Sequence, residues 1–107
     1  MTVFMVETYV VKPEKHGEYM LLLKRFPKLM KKKANMFKVV KSYKVFAHMF
    51  GGVMGGYVEL YEFNSLADVE SLFAKVFADK EIADFHQQFM TCIEPSTYKF
   101  AIWNPVE

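Results

Sequence analysis

Cysteine is nearly absent from this sequence, which has one, Cys92, in 107 residues. A single thiol excludes an intrachain disulfide framework, so the composition favours the reducing cytoplasm as the location of the protein. Glycine and proline are also scarce, at five and four residues, and four of the glycines lie between Gly51 and Gly56. A chain of this length has no room for a second core and the sequence contains no linker, so we predict one domain spanning residues 1–107.

An excess of charge of either sign is missing as well. Lysine and arginine number 14 and aspartate and glutamate 12, which gives a net charge of +2. This charge is too small to favour nucleic acid or an anionic membrane as a partner. No apolar run approaches the roughly 20 residues that a membrane-spanning helix needs, so we expect no membrane partner. The apolar segment Thr2–Val11 lacks the basic region of a signal peptide.

Metal-binding spacings are missing too. The three histidines, His16, His48 and His86, form no short H-x-x-x-H or Cys–His pattern, so no metal centre is expected. The glycine-rich segment 51–56 joins two predicted strands and lacks the Lys-Ser/Thr of a phosphate loop. We therefore interpret it as a turn that needs positive φ angles.

Aromatic residues, by contrast, are abundant, with eleven phenylalanines and six tyrosines making up most of the 17% aromatic content. A core of this size cannot hide so much aromatic surface. We expect part of it to face a partner subunit, a ligand cavity, or both.

The residue patterns predict the order strand, helix, strand, strand, helix, strand. In chain order we predict a strand at 3–11, a helix at 13–33 that Pro27 kinks or breaks, strands at 36–50 and 56–63, a helix at 65–94 that is split near Asp79, and a strand at 96–103. Two βαβ units joined by a hairpin form a ferredoxin-like α+β sandwich, with a four-stranded antiparallel sheet and its helices on one face.

Alternation within the first strand predicts which sheet face meets the helices. Phe4, Val6, Thr8 and Val10 form its more apolar face, which we expect to pack against them. Glu7 and Tyr9 then lie on the open face, and the same argument puts large side chains of the third strand there. The side chains expected to need a cover are Tyr9, Tyr57 and Tyr61.

Three segments carry a resemblance to a known superfamily: Glu7–Pro13 leading into the first helix, Tyr57–Phe63, and the split helix from Ser65 to Glu94. Through them nearly the whole chain resembles the dimeric α+β barrel superfamily, in particular its NIPSNAP-like and antibiotic-biosynthesis-monooxygenase-like branches. The resemblance implies a homodimer whose two open sheets face each other around a cavity. It implies no single activity, because the superfamily includes cofactor-free monooxygenases, haem-degrading enzymes, isomerases and sensor domains.

Candidate catalytic residues are Glu7, Glu59 and His48. The two carboxylates would share one sheet face on neighbouring strands, where each raises the pKa of the other and one could serve as a general base. The alternative is that they pair with Lys41, Lys44 or Lys99 and only make the cavity polar. His48 could transfer protons or ligate haem, or it could be a hydrogen-bonded residue at the rim. His86 could close over the cavity mouth, or it could be a capped core or surface residue.

The residues predicted to contact a substrate are Tyr9, Tyr57, Tyr61, Phe46 and Trp103. Together these features predict a cofactor-independent monooxygenase or isomerase that acts on a hydrophobic small molecule. A non-catalytic dimer that binds a ligand or has a structural role is the alternative, with haem bound by His48 as a less favoured option. RNA binding is also less favoured, because Gly56–Glu59 matches only the middle of the RNP1 motif.

Overall fold

The secondary structure follows the predicted order. The computed structural model describes residues 2–49 and 51–106. Its helices and strands are β1 (Val3–Val10), α1 (His16–Lys32), the one-turn helix α2 (Ala34–Phe37), β2 (Ser42–Ala47), β3 (Gly56–Phe63), α3 (Leu66–Val76), α4 (Lys80–Cys92) and β4 (Lys99–Trp103). Short 3-10 turns at Pro13–Lys15 and Pro95–Thr97 precede α1 and β4.

All strand pairs in the four-stranded sheet are antiparallel, and the strand order is β2-β3-β1-β4. β1 and β3 occupy the centre, and their register runs from Val3 opposite Phe63 to Val10 opposite Gly56. This order confirms the ferredoxin-like α+β fold that the sequence predicts.

The helix boundaries have local causes. Asp79 accepts a hydrogen bond from the Ile82 N–H at 3.0 Å and caps α4, while Ser65 caps α3 by accepting from the Asp68 N–H at 3.3 Å. The split of the second helical segment is thereby confirmed. Pro27, in contrast, does not end α1, which continues to Lys32 with Leu22 and Leu29 buried on either side of the proline. Burial of this apolar stripe offsets the lost backbone hydrogen bond.

The second strand begins later than predicted. Residues 34–37 form α2 instead, because Phe37 is buried against the core and contacts the Phe26 ring edge-on at a centroid distance of 5.9 Å. An apolar run such as 36–40 suits a buried helical turn as well as a strand, and here packing decides. Phe50, the predicted end of this strand, lies outside the described residues.

The prediction of which sheet face meets the helices is wrong. The helices cover the face that carries Glu7 and Tyr9: the Tyr9 hydroxyl contacts that of Tyr19 in α1, and Val3 and Met5 pack with Leu29, Val69 and Leu72. The register places Phe4, Thr8, Phe46, Leu60 and Trp103 on the opposite, open face. Alternation within β1 alone predicts the wrong face, because the charged residues of the open face come from the neighbouring strands. These residues are Lys44, Glu62 and Lys99.

No helix in the described segments 2–49 and 51–106 has the length and hydropathy to cross a membrane.

Candidate functional site

A cavity of about 410 Å³ lies between the helices and the sheet. Its volume is within the range of about 300–1,000 Å³ that is usual for small-molecule sites. Side chains from both layers line it. About half of them are aromatic, namely Tyr19, Tyr43, Tyr61 and Tyr98 with Phe26, Phe37, Phe73, Phe77, Phe85, Phe89 and Phe100. Part of the aromatic excess of the sequence thus surrounds a cavity within one protomer.

Exposed lining residues mark the mouth of the cavity. Phe77 at the end of α3 is 80% exposed and Phe100 in β4 is 44% exposed. Phe73 packs against both rings, with centroid distances of 5.8 Å to Phe77 and 5.6 Å to Phe100. His86, an exposed residue of α4, also lines the cavity. An apolar ligand would therefore enter past aromatic rings.

Two carboxylates lie at the sheet side of the cavity. Glu7 in β1 and Glu59 in β3 are directly opposite each other in the strand register, and both line the cavity. The sequence prediction that they share one face of neighbouring strands is confirmed. Their partners differ from those considered above, because the ion pairs found in the described part of the chain involve other carboxylates. The pairing with Lys41, Lys44 or Lys99 is wrong.

Tyrosine hydroxyls take the place of lysines around Glu59, which is only 6% exposed. Tyr9 donates to its Oε2 at 2.7 Å, and Tyr43 and Tyr61 donate to its Oε1 at 2.7 and 3.1 Å. The Tyr9 and Tyr19 hydroxyl oxygens are 2.6 Å apart. Because the Tyr9 proton is directed at Glu59, Tyr19 is the donor in that contact. Neutral donors thus hold a buried carboxylate in one position.

These tyrosines remain protonated at neutral pH. The pKa values of Tyr9, Tyr43 and Tyr61 are raised above the ordinary value of 10. The larger cause is burial, and the second is the nearby charge of Glu59. Burial likewise raises the pKa of Tyr19. They can donate hydrogen bonds, but none is poised to act as a phenolate base.

Glu7 is a carboxyl whose pKa is raised to near neutrality. Burial and the repulsion of Glu59 raise its pKa to about 7, although the hydrogen bond from the Tyr98 hydroxyl to Glu7 Oε2 acts in the opposite direction. A carboxyl with this pKa is protonated in part of the molecules at neutral pH. It can therefore both accept and release a proton at the cavity wall.

Of the other predicted site residues, Tyr9 and Tyr61 donate hydrogen bonds to Glu59, whereas the remaining four make no hydrogen bond to either carboxylate in the described part of the chain. The ring Nδ1 of His48 accepts a hydrogen bond from the Val53 N–H at 2.9 Å, so this side chain stabilises the turn between β2 and β3. Phe46 and Trp103, 49% and 54% exposed, lie on the open face of the sheet. Tyr57 is on the helix side, where its hydroxyl lies 3.1 Å from the His16 ring nitrogen Nε2.

Three residues of the site were not predicted: Tyr19, Tyr43 and Tyr98. Tyr43 in β2 and Tyr98 in the turn before β4 donate hydrogen bonds to the carboxylates, whereas Tyr19 in α1 contacts the Tyr9 hydroxyl. A signal existed for Tyr43, because alternation along β2 puts it on the face opposite Phe46, and it lies directly opposite Tyr61 in the register. Nothing in the sequence links Tyr19 or Tyr98 to a carboxylate.

Within residues 2–49 and 51–106, no group of three or more His, Cys, Asp or Glu side chains is arranged to hold a metal ion. Cys92 is buried and free.

Comparisons with known proteins bear on the fold. No protein-family model matches the chain, and no curated protein does. Among solved structures, a NIPSNAP family protein from Agrobacterium tumefaciens has a TM-score of 0.77 at 18% identity, over 100% of this chain and 95% of that one. A structure described as an antibiotic biosynthesis monooxygenase has a TM-score of 0.67 at 13% identity, over 98% and 99%.

A third similar structure, from Bacteroides fragilis, is described as a dimeric protein of unknown function with a ferredoxin-like fold. It has a TM-score of 0.63 at 14% identity and covers 95% of this chain and 94% of its own. The chain has the fold of these proteins. At such identities the likeness extends to fold and not to activity.

The resemblance implied a cavity enclosed between two sheets of a dimer. The cavity found here has a different position, since its walls come from the helices and the sheet of one protomer. Glu7 and Glu59 face inward, toward this cavity, and away from the open sheet face.

Proposed function

We propose that the protein binds a hydrophobic small molecule in the cavity between sheet and helices and that Glu7 transfers a proton to or from it. The observation that carries this proposal is a carboxyl with a pKa of about 7 on the wall of an aromatic cavity of about 410 Å³. A general base works best when its pKa is near the operating pH. The aromatic walls supply binding energy and exclude water from the reacting group.

Each neighbouring group has a role in this scheme. Tyr98 holds one oxygen of Glu7 and fixes its orientation. Glu59, anchored by tyrosine donors, raises the pKa of Glu7 through its charge. Tyr61 lines the cavity and can contact a substrate, whereas Tyr9 positions Glu59. His48 is not part of the proposed proton transfer, because its ring is engaged in the β2–β3 turn.

Base abstraction of a carbon- or oxygen-bound proton would suit a cofactor-independent isomerase, which returns the proton elsewhere on the substrate. It would also suit a cofactor-independent monooxygenase, in which the deprotonated substrate reacts with dioxygen. One similar structure is described as an antibiotic biosynthesis monooxygenase, which supports including the oxygenase reaction in the proposal. A substrate with an acidic proton next to an aromatic group fits both.

Proton transfer can be measured without knowing the natural substrate. Small enolisable aryl ketones, such as 2-tetralone, are incubated with the protein in heavy water, and deuterium incorporation is followed by NMR while an electrode records oxygen uptake. Wild type should accelerate exchange, and Glu7→Gln should abolish the acceleration. Glu70→Gln, which alters an exposed glutamate of α3, is the control. Ligands that bind without exchange or oxygen uptake would contradict the catalytic part.

In that event the second candidate function, a non-catalytic ligand-binding protein, would stand. The observation that favours it is the hydrogen bonding of Glu59, whose two oxygens accept hydrogen bonds from three tyrosine hydroxyls. A carboxylate held in this way can bind a ligand without transferring a proton.

We also propose that two copies pair through their open sheet faces in the cytoplasm. Phe46 and Trp103 are large, half-exposed residues on that face, and one structure with this fold is described as dimeric. Light scattering should give twice the mass of the chain for wild type, and Trp103→Glu should shift the equilibrium to monomer. A monomeric wild type at micromolar concentration would refute the dimer. The cavity proposal would be unaffected, because its walls belong to one protomer.

A further inference from the structure

The charges that face the cavity are negative. Among the described lining residues the ionisable groups are Glu7, Glu59, His86 and tyrosines, and none is lysine or arginine. Most of the 14 basic residues of the chain are exposed on its surface. An anionic ligand would therefore meet repulsion from the two carboxylates and find no lysine or arginine to pair with.

Within residues 2–49 and 51–106, the ion pairs of the structure include neither of these carboxylates. Hydrogen bonds from Tyr9, Tyr43 and Tyr61 stabilise the position of Glu59, but neutral donors do not cancel its charge. The remaining repulsion between Glu59 and Glu7 is one of the causes that keep Glu7 partly protonated. A cation beside both carboxylates would remove that repulsion.

The aromatic walls of the cavity also suit a cation. The faces of aromatic rings attract cations within about 6 Å of their centroids, and such sites recognise quaternary ammonium groups. One lining ring already takes part in such a contact, since the Arg25 guanidinium carbon lies 5.6 Å from the Phe85 ring centroid. The cavity thus combines aromatic faces for an apolar or cationic body with carboxylates for a charged end.

We propose that the ligand is a hydrophobic organic cation, an amine or quaternary ammonium compound whose charged end lies against Glu7 and Glu59 and whose apolar body contacts the aromatic walls. This deepens the proposed function, because it names the ligand class of the same cavity and rests on that cavity being the binding site. It also assigns an electrostatic preference, for cations over neutral molecules and for neutral molecules over anions.

The decisive experiment compares three probes of similar size and shape. Benzyltrimethylammonium is the cation, neopentylbenzene replaces its nitrogen by carbon, and 3-phenylpropionate is the anion. Protein-observed NMR titration of wild type gives the three affinities and locates each probe by its effects on cavity residues. The cation should bind about tenfold more tightly than the neutral compound, which corresponds to a usual cation–π and ion-pair contribution. The anion should bind more weakly than either.

Variants test which groups provide the preference. Glu7→Gln should weaken binding of the cation about tenfold and leave binding of neopentylbenzene unchanged. In wild type the affinity for the cation should rise with pH through about 7, as Glu7 loses its proton. The groups that face Glu7 are Glu59 and Tyr61 on β3 and Tyr98 before β4, and none of these tyrosines ionises in this range. His86 at the mouth is checked separately with His86→Gln, which should keep the pH dependence.

The outcomes separate this inference from the proposed function. Equal binding of the cation and the neutral compound within the cavity would overturn the inference and leave a hydrophobic site intact. Tighter binding of the anion would also overturn it. If no probe shifted cavity residues, both proposals would fail. The comparison of probes on wild type needs no variant, so a poorly folded Glu7→Gln would not weaken the test.

Discussion

Glu7→Gln should stabilise the folded protein above neutral pH and remove the decrease in stability that we expect of wild type as pH rises. In the unfolded chain Glu7 has its ordinary pKa of 4.5, and in the folded protein burial and Glu59 raise that pKa to about 7. Between these values the native state binds more protons than the unfolded state. The free energy of unfolding must therefore fall as pH rises through this window.

The size of the effect follows from the two pKa values. The difference between 4.5 and about 7, at about 1.4 kcal/mol for each pKa unit, corresponds to about 3 kcal/mol. That contribution is absent below about pH 4.5 and complete above about pH 8. Glutamine keeps the volume of the side chain and an acceptor for the Tyr98 hydroxyl but carries no charge. The variant should thus match wild type near pH 4.5 and be about 1–3 kcal/mol more stable at about pH 8.

Urea unfolding at a series of pH values measures this difference, with protein concentration held fixed because self-association would shift the apparent stability. Glu70→Gln, at an exposed position of α3, is the matched control and should follow wild type at every pH. Parallel curves for wild type and Glu7→Gln would refute the reasoning. They would show that Glu7 titrates at the same pH in the folded and unfolded chains.

Two further predictions concern other residues. Tyr43→Phe removes a hydrogen bond to the Glu59 carboxylate and should lower the free energy of unfolding by about 1.5–3 kcal/mol. The control is Tyr57→Phe, because the Tyr57 hydroxyl contacts His16 instead of a carboxylate. Equal losses for the two variants in urea unfolding would contradict this role of Tyr43. Gly55 has a φ of 77°, so Gly55→Ala should cost about 1–2 kcal/mol. In α1 an alanine Cβ at Gly17 meets no atom within 4 Å, so Gly17→Ala should raise the free energy of unfolding by up to about 1 kcal/mol. If thermal unfolding showed that both alanine variants change stability in the same direction, the conformational argument would be contradicted.

Local pattern was enough to predict the order of elements and the fold. The β-branched and aromatic runs around the glycine-rich turn, the cap at Asp79 and the apolar stripes of the helices act over a few residues, and the structure contains each of them. Gly51 and Gly55 have the positive φ angles expected of that turn. The pairing of Glu7 with Glu59 also followed from pattern, because strand order and alternation fix it once the fold is known.

Only the tertiary structure decided which face of the sheet is covered. Glu7, Tyr9 and Glu59 make one face look polar in the sequence, and hydropathy assigns such a face to solvent. Their burial becomes favourable because tyrosine hydroxyls from the turn before β4, from α1 and from β2 form hydrogen bonds with Glu7, Tyr9 and Glu59, respectively, and these partners are distant in the chain. Hydrogen bonds between such distant residues leave no periodic signal. The sequence therefore determined the ferredoxin-like fold, whereas the packing of tyrosines around two carboxylates decided where the cavity and its chemistry lie.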